Sequence, residues 1–164
     1  MLGLDDAMMD DSTLEVLLQS LKQEDEYQRE LATAALWQRW FYQKGEAGNQ
    51  RLQNAQTLVD EGRLDAAESL LSALVAESPD FAEAWNRRAV LYYVQRRYRE
   101  AMADCQRVVD LVPYHFGALH GLGLCHAALE QYEAAIQAFR RALVVQPYAL
   151  VNQRLILECT ARLS

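Results

Sequence analysis

Along residues 48–149 the apolar positions recur three and four apart, and the whole pattern returns every 34 residues. Ala67, Leu71 and Leu74 in one segment coincide with Ala101, Cys105 and Val108 in the next and with Ala135, Phe139 and Ala142 in the third. The segment before each of these carries a small residue (Ala55, Ala89, Gly123), followed three positions later by Leu58, Tyr92 and His126. Spacings of three and four put the larger residues on one buried face of a helix. The Ala and Gly positions mark where two antiparallel helices cross closely, with Leu, Tyr, Phe and Trp filling the space beside them. Pro79, Pro113 and Pro147 end each second helix. Proline lacks an N–H and disfavours helical geometry in the residue before it, so Ser78, Val112 and Gln146 should leave the helix. No run shows the strict alternation of a half-buried strand. The pattern predicts an all-α array of helix-turn-helix units.

Both ends of the array need covering, because a terminal unit otherwise exposes an apolar face. After Pro147, the residues Leu150, Leu155, Ile156 and Leu157 predict one more helix to about Leu163, with Cys159 inside it as a small buried hydrophobe. At the other end Ser12-Thr13-Leu14-Glu15 fits a capping box ahead of a stripe of Leu14, Leu17, Leu18 and Leu21. A second stripe starts at Tyr27, Leu31, Ala34 and Ala35 and ends in Leu36, Trp37, Trp40 and Phe41, with Gly45 as its stop. Two helices follow from this, over 13–22 and 26–43. Trp37, Trp40 and Phe41 share a face that must be buried. They can cap the first unit, fold back into the array's own concave side, or join two copies. The resulting division is an acidic, disordered tail over 1–11, a helical extension over 12–47, units over 48–81, 82–115 and 116–149, and a closing helix over 150–164.

Charge narrows the function. Residues 1–50 hold ten acidic side chains against four basic ones, while the remainder is nearly neutral, within a net charge of −7. That is not the basic footprint of a nucleic-acid binder. Six arginines crowd the second unit (Arg87, Arg88, Arg96, Arg97, Arg99 and Arg107) and read as a solvated face with helix-surface pairs. No apolar run approaches the length that spans a bilayer. The first residues lack the basic start and apolar core of a secretory signal, and three cysteines without a Cys-x-x-Cys suit a cytoplasmic setting. His120 and His126 lie six residues apart, about 240° around a helix, so they cannot share a metal. Those two and His115 read as packed or surface histidines. Gly121-Leu122-Gly123 sits inside a helix and is no phosphate loop. No nucleophile, base and orienter assemble, so neither catalysis nor a cofactor is expected.

The repeating residues resemble the tetratricopeptide repeat (TPR) family, in its small stand-alone form. The second unit carries the resemblance in Ala84, Trp85, Tyr92, Tyr98, Ala101 and Pro113, the third in Leu119, Leu122, Gly123, Tyr132, Ala135, Phe139, Ala142 and Pro147. The first unit is weaker, with Arg51 and Asn54 where Trp and Leu are usual. Gly62 holds the place where the family prefers glycine in the turn of each unit, but Arg96 and Glu130 fill the equivalent places. The resemblance implies a right-handed α-solenoid whose first helices line a concave groove. By register that groove shows Leu52, Gln56, Asn86, Arg87, Val90, Tyr93, His120, Leu124 and Arg154, an apolar mixture with hydrogen-bonding groups. It implies a protein-binding adaptor or scaffold taking a peptide or helix of another protein, in complex assembly. The family's clamp for acidic chaperone tails needs Lys, Asn, Asn, Lys and Arg where this chain has Leu52, Gln56, Arg87, Gly117 and Gly121, so that ligand is not expected. The alternative is a homo-oligomer, a homodimer for instance, joined through Trp37, Trp40 and Phe41.

Overall fold

The computed structural model describes residues 11–164, and over them the chain is helix and turn. Helices α1 (Asp11–Ser20) and α2 (Glu26–Phe41) precede three antiparallel pairs. The pairs are α3 (Gly45–Asp60) with α4 (Leu64–Glu77), α5 (Ala82–Val94) with α6 (Tyr98–Leu111), and α7 (Phe116–Ala128) with α8 (Tyr132–Val145). Helix α9 (Leu150–Arg162) closes the array. Each second helix ends where proline requires: Ser78, Val112 and Gln146 are the C-caps, with φ of −131°, −136° and −124°.

Small residues set the crossings. Ala67, Ala101 and Ala135 have no exposed surface at all. Between α7 and α8 the approach leaves no room for a side chain, because a β-carbon on Gly123 would overlap the Phe139 ring. Beside these points lie Leu71, Leu74 and Phe81 in the first unit, and Phe139 with Cys159 at the far end. Cys159 is therefore buried where α9 covers the last unit.

The turns within the units share one geometry. Gly62, Arg96 and Glu130 all adopt left-handed backbone, at φ 74°, 60° and 59°. In each, the next residue's N–H reaches five residues back, from Arg63 to Leu58, Arg97 to Tyr92 and Gln131 to His126, at 2.8–2.9 Å. That bond satisfies a carbonyl left open at the helix end and holds the turn shut. The two non-glycine residues thus keep the turn and bear the strain.

The N-terminal region differs from the sequence-based expectation in detail. Helix α1 already includes Asp11 and Ser12, so Ser12 lies inside the helix and not ahead of it as expected. Asp11 instead puts a carboxylate at the positive end of the helix dipole. Of the tail expected over 1–11, all but Asp11 lies outside the described residues. Asp25 caps α2, its Oδ1 accepting from the Tyr27 and Gln28 amides at 2.9 and 3.4 Å. Helix α2 ends at Phe41, and Gly45, at φ 68°, turns the chain into α3 three residues ahead of the expected unit start.

Replacing Arg96 or Glu130 by glycine should stabilise the array by about 1 kcal/mol each, since only glycine occupies this backbone without penalty. Urea denaturation of the single variants reads this directly. Gly123→Leu should cost at least about 1–3 kcal/mol by overpacking the α7–α8 crossing, seen as a lowered midpoint in the same titration.

Candidate functional site

The first helices α3, α5 and α7, with α9 in the fourth place, present one residue set to the same side of the array. Leu52 is buried in its floor, while Val90 and Val94 stand 55% and 60% exposed above it. Between α3 and α5 lies a socket of about 70 Å³, lined among others by Leu52, Val59, Arg87, Val90 and Val94. Gln56 and Arg87 border it, the Arg87 Nη1 donating to Gln56 Oε1 at 2.9 Å. Tyr93 is half-buried, its ring edge-on to Tyr98 at 5.3 Å, and burial pushes its phenol above the usual range. Leu124 packs partly into the Phe139 cluster. The His120 Nδ1 lies 2.7 Å from Asn152 Oδ1, tying α7 to α9. Arg154 is 69% exposed and pairs loosely with Glu158 at 3.4 Å.

Two of the groove residues named from sequence are structural. Asn86 is buried and donates from Nδ2 to both oxygens of Glu83 at 3.3 Å. Arg87 donates from Nε to Glu83 Oε1 at 3.1 Å, with its guanidinium 5.0 Å from the Phe41 ring. The Glu83 carboxylate and His115 have no exposed surface. The Ala118 amide donates to His115 Nδ1 at 3.1 Å, so the ring proton sits on Nε2 and is donated to Glu83 Oε2 at 3.2 Å. A buried carboxylate costs several kcal/mol unless its lone pairs are met, and here four hydrogen bonds from three side chains meet them. Sequence reasoning missed this knot, whose members lie 32 residues apart.

Helix α2 forms one wall of the groove. Trp40 is buried and stacks on His115 with ring centroids 3.9 Å apart. Trp37 stands edge-on to Phe116 at 5.4 Å, and a β-carbon on Gly117 would come 2.7 Å from Trp37 Cη2. Phe41 packs against the core of the first unit and stacks on Trp37 at 5.7 Å. The aromatic stripe is thus covered by this chain's own array, reaching the second inter-unit loop as well as the first unit. Its signal in the sequence was a space: Gly117, without a side chain, is where Trp37 enters.

The arginine-rich second unit is spent largely on pairing between helices. Arg88 makes a two-pronged contact with the buried Asp104 at 2.7 and 2.9 Å. Arg97 joins Glu68 at 2.8 Å and Glu100 at 2.6 Å, holding the Glu68 carboxyl below its usual range, and stacks on Tyr92 at 4.3 Å. The simple solvated face fits only Arg96, Arg99 and Arg107, which are exposed. Cys105 and Cys125 are buried, and a contact with Cys125 together with burial pushes the Cys105 thiol up, which suits packing rather than reactivity. His126 bonds Gln131 at 2.7 Å near its own turn. Among the described residues no group of three His, Cys, Asp or Glu side chains could hold a metal. None of their helices is long and apolar enough to cross a membrane.

Trp40→Ala should cost about 3–5 kcal/mol by opening a cavity over His115. Trp40→Phe should cost clearly less, because the buried indole Nε1 has no hydrogen-bond partner to lose. Thermal or urea unfolding of both variants checks the order.

Comparison with known proteins agrees with this architecture. Two models of the tetratricopeptide repeat match, over residues 52–116 and 117–148. A TPR repeat-containing protein of Rhizobium etli is 36% identical over 99 residues, 60% of this chain and 48% of that protein. The BBSome complex member BBS4 homolog of Drosophila melanogaster is 29% identical over 52% of this chain and 18% of its own length. The chain thus spans about half the length of the first relative and under a fifth of the second. Among solved structures, the first TPR of Spaghetti (RPAP3) bound to the HSP90 peptide SRMEEVD superposes with a TM-score of 0.67. It is 19% identical and covers 69% of this chain and 90% of that one. The Sgt2 TPR domain from Aspergillus fumigatus gives 0.65 at 14% identity, covering 70% and 78%. With the 34-residue period, the proline stops and the helix pairs in register, the chain belongs to the tetratricopeptide repeat family.

Proposed function

We propose that this chain is a cytoplasmic protein-interaction adaptor in complex assembly, taking an apolar peptide or helix of a partner protein along its groove. The observation that carries the reading is the exposed pair Val90 and Val94 above the α3–α5 socket, with Tyr93 and Leu124 continuing the apolar strip. Single apolar side chains on a surface are ordinary, but a strip over a socket can seat a partner's anchor residue. The half of the groove nearer α2 is taken by Trp37 and Phe41, which directs the partner to the other half. Gln56, His120 and Arg154 stand along this path as hydrogen-bonding groups. The related TPR structures bound to HSP90 and HSP70 peptides support peptide recognition as the general activity of this fold.

The acidic chaperone tail is not the ligand in this reading. Leu52, Gln56, Gly117 and Gly121 leave Arg87 as the sole cation at the five clamp positions, and Arg87 already serves Glu83. Two carboxylates need paired, charge-assisted donors that these positions do not offer.

Affinity capture from the native host should recover a defined protein set with wild type and lose it with Val90→Asp/Val94→Asp, at unchanged thermal stability. Identical recovery by both would remove the groove assignment. Titration with the peptide SRMEEVD should give no saturable change in fluorescence anisotropy, and saturable binding would restore the clamp mode.

A further inference from the structure

Helix α2 and the turn that follows it touch the array at intervals that match the array's own repeat. In the turn that follows it, Gln43 Nε2 donates to the Asp80 carbonyl at 2.8 Å and Lys44 pairs with the Asp80 carboxylate at 2.7 Å. In its middle Leu36, Trp37 and Trp40 pack on residues 114–117. Near its start the Thr33 hydroxyl accepts from Gln146 Nε2 at 3.5 Å, and Arg29 lies over the Tyr148 ring at 4.1 Å. Asp80, Tyr114 and Tyr148 are equivalent positions, 34 residues apart, each in a loop before a first helix.

The spacing along α2 has a physical basis. Within the helix, Arg29 and Leu36 are seven residues apart, as are Thr33 and Trp40. Seven residues of helix rise about 10 Å and return to nearly the same face. Packed neighbouring helices stand about 8–10 Å apart. One heptad of α2 therefore advances by one unit of the array, so the same side of α2 meets the last loop and the one before it, and the turn after the helix reaches the first.

We infer that α2 is an intramolecular spacer that fixes the separation and twist of the units and couples the last unit directly to the first. A solenoid without such an element holds together through nearest neighbours alone and opens from its ends. Here residues 29 and 33 bond to residues 148 and 146, across the length of the array. The groove width is set in advance by α2, and the far end cannot fray independently of it.

Inserting one alanine between Ala34 and Ala35 tests it in the full chain. The insertion turns the first half of α2 by about 100° relative to the second. It should leave Trp37 and Trp40 seated while removing Arg29 and Thr33 from the last loop. Native-state hydrogen exchange should then accelerate about tenfold or more in α9 and remain unchanged in α3 to α6. The double variant Arg29→Ala/Thr33→Ala, which alters no spacing, should show the same local pattern and keeps the test decisive if the insertion misfolds. Unchanged exchange in α9 in the double variant would overturn the inference. So would equal acceleration in every helix, which would make α2 a source of general stability and not a spacer.

Discussion

Two helices can approach closely only where no side chain stands between them, and everything in this molecule is arranged around that requirement. Ala67, Ala101 and Ala135 recur where the helices of successive units cross, and Gly123 meets the Phe139 ring with no room for a β-carbon. With the crossings fixed, proline ends each second helix in the same place, and the first helices line up to make a groove. The left-handed turns follow as well. A short connection between closely packed antiparallel helices closes through the same five-residue hydrogen bond in all three units, even where Arg96 and Glu130 must adopt glycine's backbone.

The same logic of missing side chains extends from the scaffold to the site. Gly117 admits Trp37, and Trp37 with Phe41 turns one side of an open groove into a wall. Beneath that wall the Glu83, Asn86, Arg87 and His115 cluster closes its polar groups on one another, so Trp40 can stack on a ring whose nitrogens are already engaged. A buried polar cluster is tolerable only when fully satisfied. Its effect is to commit residues such as Asn86 and Arg87, which face the groove by register, to structure. Val90 and Val94, by contrast, are left exposed.

The 34-residue recurrence, the proline positions and the small-residue crossings were sufficient for the helix pairs, their order and the closing helix, because each rests on contacts between neighbours in sequence. Helix periodicity and backbone chemistry act over a few residues and are written there directly. The left-handed strain at Arg96 and Glu130 could be anticipated from the place of Gly62, although the choice between strain and a changed turn was made by the packing of the folded units. Of the residues assigned to the groove by register, Val90 is exposed and Tyr93 half-buried, while Leu52 and Asn86 are buried.

What only the tertiary structure decided is where the first two helices go. The stripe of Trp37, Trp40 and Phe41 demanded burial, and several surfaces could have supplied it. Trp40 meets a histidine 75 residues away in the chain, and Arg29 a tyrosine 119 away, contacts with no local signature. Likewise Arg88 and Arg97, read as surface charges from sequence, turn toward Asp104 and Glu68 because neighbouring helices bring those carboxylates within reach. Sequence determined the repeating scaffold because its code is periodic. The path of α2, and with it the half of the groove left open, depended on complementarity between a helix and loops distant in sequence, which emerges only when the units are stacked.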